Sequence, residues 1–344
     1  MQRMQVFRGF LHPGIAPACA LTIGNFDGVH RGHQAMLALL RSEAQHRGLP
    51  SCVMTFEPHP RDYFAHLAGK PELAPARIAT LRDKLSELER CGVDQAIVLR
   101  FDRSFAAQTP QAFIDDVLVR GLGTRYVLVG DDFRFGAKRA GDYTMLDAAG
   151  PAAGFDVARM NSYEVRGLRV SSSAVREALA AGDMERVAAL LGRPYSISGH
   201  VIHGQKLGRS LGESEAGRSD GFRTLNLRFH HPKPAALGIY AVRTHGLADK
   251  PVDGVASLGK RPTVDDSGRV LLEVYCLDWP AGLGAEEGYG KLVRVELLHK
   301  LRDEARYDGL PALTSAIRKD TDDARAFLAA HAAQHRQTSR DRII

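Results

Sequence analysis

The 344-residue sequence predicts an α/β fold followed by an antiparallel β-barrel or sandwich with a terminal helix, and three observations carry that prediction. In the first half, apolar strand-like runs alternate with helical runs, the pattern of repeated βα units and a parallel, doubly wound sheet. After Gly192-Arg193-Pro194, short strands follow one another with only turns between them, the pattern of a barrel or sandwich. The Gly-then-Pro stop at that point ends the last helix of the first pattern.

Taken in order, the strand-like runs of the first half are 18–23, 52–56, 96–101 and 126–130, with a weaker one at 155–160. Helical periodicity covers 34–47, 78–91 and 110–120. The last of these has Thr109 as N-cap and Pro110 at the first helical position. A helix follows Ser171-Ser172-Ser173, and another covers 183–191. Strands are then expected at 196–203, 224–229, 238–244, 254–258, 270–277 and 292–298, with a terminal helix over about 311–331. This divides the chain into domains at 1–182 and 183–333, with a polar, loose tail at 334–344.

Composition narrows the class. A hydrophobic fraction of 44% with 25% charged residues is that of a soluble globular protein. No apolar run approaches a membrane span, and the N-terminal segment lacks the apolar centre of a signal peptide, so a cytoplasmic protein without a membrane partner is expected. Cys19, Cys52, Cys91 and Cys276 form no CxxC pair, which argues against a zinc site or a disulfide framework. The net charge of +6 is dispersed and contains no dense basic tract, so nucleic acid is not an expected partner. The expected partners are small molecules, with the chain a monomer or weak homo-oligomer.

The chemistry centres on GNFDGVHRGH at residues 24–33. A strand, a tight glycine-rich turn and a helix start lie in succession here, at the carboxyl end of a strand where α/β sheets bind ligands. The free N–H groups of a helix start suit phosphate. His30 and His33, three apart, can share one face of the first turn and donate hydrogen bonds to a phosphate gaining charge. Further along come TFEPHP (55–60), VGDDFRFG (129–136) and SSSAVR (171–176), each at the end of a strand or the start of a helix. No GxxxxGK[ST] loop occurs, so phosphate binding must use other elements.

In that order, these strings resemble the motifs of the nucleotidylyltransferase superfamily, and most closely the adenylyltransferase half of bacterial bifunctional riboflavin kinase/FAD synthetases. The resemblance implies a Rossmann-like nucleotidylyltransferase domain. In it His30, His33 and Arg176 are catalytic, and Gly24, Asn25, Phe26, Asp27, Gly28, Ser172 and Ser173 bind ATP phosphates. Asp132 and Phe133 border the flavin.

The second half resembles the kinase of the same family. GHVIHGQKLGR (199–209), with Gly204, Lys206 and Gly208, reads as its ATP loop, and RTLN (223–226) stands where that family has PTAN. LEVY (272–275), YG (289–290) and LRDE (301–304) look like its later motifs. The resemblance implies a barrel in which Thr224 and Asn226 place oxygens on a Mg²⁺–phosphate unit, Glu273 is the general base, and Tyr289, Arg302 and Asp303 touch the flavin. ATP is then the co-substrate, and riboflavin, FMN and FAD are substrates and products. Two departures stand out: Pro and Ala of PTAN are Arg223 and Leu225, and a polar insertion occupies 213–221. Two other readings compete. One is a nucleotidylyltransferase for a different acceptor, with a barrel that is inactive or only binds. The other is a flavin-binding regulator that contacts nucleic acid.

Overall fold

The computed structural model describes residues 3–341 apart from 162, 166, 204–223, 232, 261–269 and 285. Six short strands of the first half form one parallel sheet: β1 (Gln5–Arg8), β2 (Cys19–Ile23), β3 (Ser51–Glu57), β4 (Gln95–Arg100), β5 (Thr124–Gly130) and β6 (Asp156–Met160). Their order is β1-β4-β3-β2-β5-β6. Every residue of β2 is buried, as a central strand covered on both faces requires. The strand order turns round at β2, which has β3 on one side and β5 on the other. The chain leaves β2 at the switch point of the sheet, straight into residues 24–33. The sequence pattern does not find β1, a four-residue strand with one buried side chain.

Helices α1 (Arg31–His46), α2 (Pro60–Leu67), α3 (Leu81–Arg90), α4 (Arg103–Ala106), α5 (Pro110–Ala112) and α6 (Tyr143–Ala153) follow the strands. The helix expected over 110–120 starts as predicted, with the Thr109 side chain accepting from the Ala112 N–H. It then widens into π-type turns over Phe113–Gly121, which bury Phe113, Ile114, Val117 and Leu118. A small hairpin, β7 (Glu164–Val165) and β8 (Leu168–Arg169), precedes α7 (Ser172–Ala181). One compact unit comprises Met1–Pro75 and Leu81–Ala174; the other comprises Ala76–Thr80 and Val175–Ile344.

The second unit begins in α7 and continues through α8 (Met184–Leu191), which Gly192 ends in the left-handed conformation. Strands β9 (Tyr195–Ile202), β10 (Thr224–Phe229), β11 (Gly238–His245), β12 (Val252–Lys260), β13 (Val270–Cys276) and β14 (Leu292–Arg302) close into a barrel in the order β10-β13-β12-β11-β14-β9. All these pairings are antiparallel. Alternate residues of β13 point inward, where Val270, Leu272, Val274 and Cys276 are buried. The terminal helix α9 (Leu310–Asp341) packs Ala324, Phe327 and Leu328 against Ala241, Val255 and Tyr275 on the barrel. It runs past His331, where the sequence pattern would end it. Cys19, Cys52 and Cys276 are buried, and none of the four cysteines is in a disulfide.

Candidate active sites

The switch-point turn is built from backbone strain and hydrogen bonds. Gly24 N–H donates to the Met54 carbonyl of β3 at 3.0 Å, and the Thr55 hydroxyl donates to the Asn25 carbonyl at 3.2 Å. Phe26 (φ 48°) and Val29 (φ 40°) both adopt the left-handed region, which is costly for a β-branched residue. Gly28 adopts it at φ 86° without that cost. Asp27 is buried, and its carbonyl accepts from the Ser172 hydroxyl at 3.1 Å, which ties the start of α7 to the turn.

The helix begins three residues earlier than the sequence pattern sets it, and His30 is its N-cap. His30 Nδ1 accepts from the His33 N–H at 3.3 Å, so a neutral His30 carries its proton on Nε2, as a donor. The two rings stack at 3.6 Å and 15°. Gly32 permits this, since a Cβ there would lie 3.2 Å from His30 Nδ1. His33 is half-buried, but its Nδ1 is buried and has no partner among the described residues. Burial, then the neighbouring His30, then Lys84 hold the His33 pKa well below 6.5. Two imidazoles therefore sit beside a helix start, one of them held toward its neutral form by its surroundings.

Asp132 and Phe133 follow β5, at the same end of the sheet; the Phe133 ring lies 5.5 Å from that of Phe135. Ser173 is exposed on α7, while Ser171 accepts from the Ala174 N–H and is the actual cap. Arg176, one turn along, donates from Nε to the Ala76 carbonyl at 2.6 Å.

On the barrel, the register places Asn226 directly opposite Glu273, and Glu273 opposite Ser257. Directly opposed residues share a face, so Thr224, Asn226, Glu273 and Ser257 all lie on the outer one. Glu273 is no edge residue: β13 has β10 on one side and β12 on the other. Asn226 is 3% exposed, and its Oδ1 is buried without a partner among the described residues. Close by, Glu304 Oε1 accepts from the Ser257 hydroxyl at 3.5 Å, and burial raises its pKa above the usual value.

The Tyr289 ring lies 3.8 Å from that of His203, tilted by 32°. Arg302 donates from Nε and Nη2, one edge of its guanidinium, to the two carboxylate oxygens of buried Asp320 on α9 at 2.8 and 2.6 Å; Nη1 donates to the Asp303 carbonyl, and the group lies over Tyr307, so its bidentate edge serves the terminal helix. Asp303 is exposed and pairs with Lys300 at 2.6 Å. Gly204, Lys206, Gly208, Arg223 and the 213–221 insertion lie outside the described residues. The sequence reading gives no role to Lys84 or Ser257, and names Thr55 and Glu304 only as members of the TFEPHP and LRDE strings. Lys84 carries a readable signal, a lysine four residues before Leu88 on the buried stripe of its helix.

Residues 13–174 match the family model for FAD synthetase, and residues 191–328 match the one for riboflavin kinase. A bifunctional riboflavin kinase/FMN adenylyltransferase of Escherichia coli (strain K12) is 44% identical over 326 residues, covering 94% of this chain and 98% of the relative. The protein of the same name from Haemophilus influenzae is 43% identical over 325 residues, covering 94% and 99%. A crystal structure titled as a macrolide-efflux protein from Streptococcus pneumoniae superposes with a TM-score of 0.71 at 25% identity, covering 94% of this chain and 99% of that one. Among the described residues no helix is long and apolar enough to cross a membrane.

Proposed function

We propose that this chain, which belongs to the bifunctional riboflavin kinase/FMN adenylyltransferase family, makes FAD from riboflavin in two steps at two sites. Two family matches laid end to end, 13–174 and 191–328, carry this reading. The competing readings, a barrel that merely recognises another acceptor and a nucleic-acid-binding regulator, are not favoured beside a riboflavin kinase match across that barrel.

In the first step the riboflavin 5′-hydroxyl attacks the γ-phosphorus of ATP, giving FMN and ADP. Glu273 takes the hydroxyl proton. Mg²⁺ suits the neighbouring oxygens on this structure's own terms. The Asn226 Oδ1 is a buried acceptor without a partner among the described residues, and Thr224 lies two residues away on the same face. Thr224 and Asn226 would hold the ion, and the bound ion would neutralise charge on the phosphates. Among the described residues no group of three or more His, Cys, Asp or Glu could hold a metal, so the remaining ligands would be phosphate oxygens and water. Gly204, Lys206 and Gly208 would close over the ATP, and Tyr289, Arg302 and Asp303 would border the flavin.

In the second step an FMN phosphate oxygen attacks the α-phosphorus of ATP, and the bond to the β-phosphate breaks to release pyrophosphate. The turn from Gly24 to Gly28, with Ser172 and Ser173, holds the triphosphate. His30, His33 and Arg176 stabilise the charge that develops, and Asp132 and Phe133 border the flavin. Domains at 1–182 and 183–333 with a tail at 334–344 divide the two activities. The enzyme works in the cytoplasm as a monomer or weak homo-oligomer, on small molecules rather than on nucleic acid or membrane.

The test is one incubation of the purified chain with riboflavin, ATP and Mg²⁺, with the flavins separated by chromatography. FAD appearing through FMN supports both steps. FAD from supplied FMN but none from riboflavin removes the kinase assignment. Turnover of neither flavin removes both.

A further inference from the structure

Lys84 is a charged side chain where an apolar one would be expected. It lies on the buried face of α3 and is 1% exposed. Taking an ammonium out of water is costly unless its hydrogens are satisfied. Its Nζ donates to the Thr55 hydroxyl at 3.2 Å, and Thr55 donates its own hydrogen to the Asn25 carbonyl at 3.2 Å. Because an ammonium can only donate, the direction of this chain is fixed and ends on the backbone of the glycine-rich turn. That turn carries the positive-φ residues Phe26 and Val29 just before His30. Such strained backbone persists only where its surroundings hold it in place.

The charge of Lys84 acts on the same site. Two charged or titratable groups act on His33: His30, stacked on it from the N-cap position, and Lys84 from α3. Phe26, 4.9 Å away, presents an uncharged ring. The cation and the hydrogen-bonded chain therefore converge on one turn from α3, which packs Leu88 into the same cluster as Leu37 of α1.

We propose that Lys84 is a positioning residue for adenylyl transfer: through Thr55 it fixes the turn that carries His30 and His33, and its buried charge acts on that pair before a polyphosphate binds. This rests on the assignment of His30 and His33 to the triphosphate. A ligand bringing several negative charges offsets the repulsion from Lys84 and His30, and His33 then gains a proton where the α-phosphate needs a donor.

The test compares Lys84→Met and Lys84→Arg in the full chain, with riboflavin phosphorylation by the same molecules as the internal measure of folding. The Met variant should lose about 100-fold in kcat/KM for FMN adenylylation, as expected of slightly misplaced reacting groups, and keep its phosphorylation rate. Its His33 ring signal, followed by NMR, should titrate at higher pH because a positive neighbour is gone. The Arg variant should restore that titration and most of the rate. In the parent chain, ATP without flavin should raise the pH at which His33 titrates. An adenylylation rate for Lys84→Met within about threefold of the parent overturns the proposal. So does an ATP-insensitive His33 in the parent, a result that stands whether or not the variants fold. Unimpaired adenylylation by a His30→Ala/His33→Ala variant would instead remove the underlying site assignment.

Discussion

Replacing Glu273 with Gln separates the two proposed activities in one molecule. Glu273 lies on an interior strand of the barrel, and its ladder to β10 and β12 is backbone-bonded and unaffected by the change. The side chain is half-buried and Gln has nearly its shape, so the folding cost is about 0.5 kcal/mol or less. An amide can still accept a hydrogen bond from a hydroxyl, but it cannot take the proton. A positioned general base is worth about 10²–10⁴-fold in rate. At about 1.4 kcal/mol per decade this amounts to about 3–5 kcal/mol of barrier, several times the folding cost. FMN formation from riboflavin should therefore fall by at least about 100-fold, while FMN-to-FAD conversion stays at the parent rate. Both are read from the same preparation by flavin chromatography. Phosphorylation within about tenfold of the parent would refute Glu273 as the base; equal loss of both reactions would refute independent sites.

Three further outcomes are expected. His30→Ala combined with His33→Ala should lower FAD formation by about 10²–10³-fold and spare phosphorylation; retained FAD formation would exclude the pair from catalysis. Asp320→Ala leaves the Arg302 guanidinium without its two carboxylate bonds and should cost about 3 kcal/mol in urea unfolding of the barrel unit, whereas an unchanged midpoint would show that the pair contributes nothing. The folded His33 pKa lies below the unfolded value of 6.5, so its neutral burial contributes stability that is complete above 6.5 and is lost as pH falls below it. The slope attributable to it is at most about 1.4 kcal/mol per pH unit and should vanish in His33→Gln; an unaltered slope between pH 6.5 and 5 would contradict neutral burial.

The strand and helix pattern was legible because most elements carry several buried residues at a fixed period. β2 is buried throughout, with Thr22 its one polar residue, and β13 alternates over its full length. β1 has one buried residue, and α2 only Ala65, so neither produces a period to read. The turn at residues 24–33 could be read because a glycine-rich string closes an apolar run and two histidines three apart open a helical one. What surrounds it could not. Thr55 belongs to a strand and Lys84 to a distant helix, and only the folded sheet brings them to Asn25. Glu273 has a similar history: its spacing in the sequence fits an edge strand as well as an interior one, and barrel closure decides between them. The Arg302–Asp320 pair spans a strand and the terminal helix, so a sequence motif can suggest a flavin contact there without revealing the partner that holds the guanidinium.

A buried polar atom without a partner is a cost that folding does not require, and among the described residues Asn226 Oδ1 is such an atom. It lies on a strand whose neighbours Leu225 and Leu227 are fully buried, opposite the proposed base. Leaving a carbonyl desolvated and unbonded costs about 1–3 kcal/mol, whereas an apolar group of similar size in its place is neutral or stabilising. If the oxygen is kept for a ligand, Asn226→Leu should raise the stability of the barrel unit by about 1 kcal/mol and abolish phosphorylation of riboflavin, with adenylylation of FMN untouched. Stability gained and activity lost in one substitution is the signature of a group retained for binding. Urea unfolding and the two flavin assays read it together. A destabilised Asn226→Leu would show that the amide holds the barrel together, and the metal-facing role would then fall to Thr224 alone.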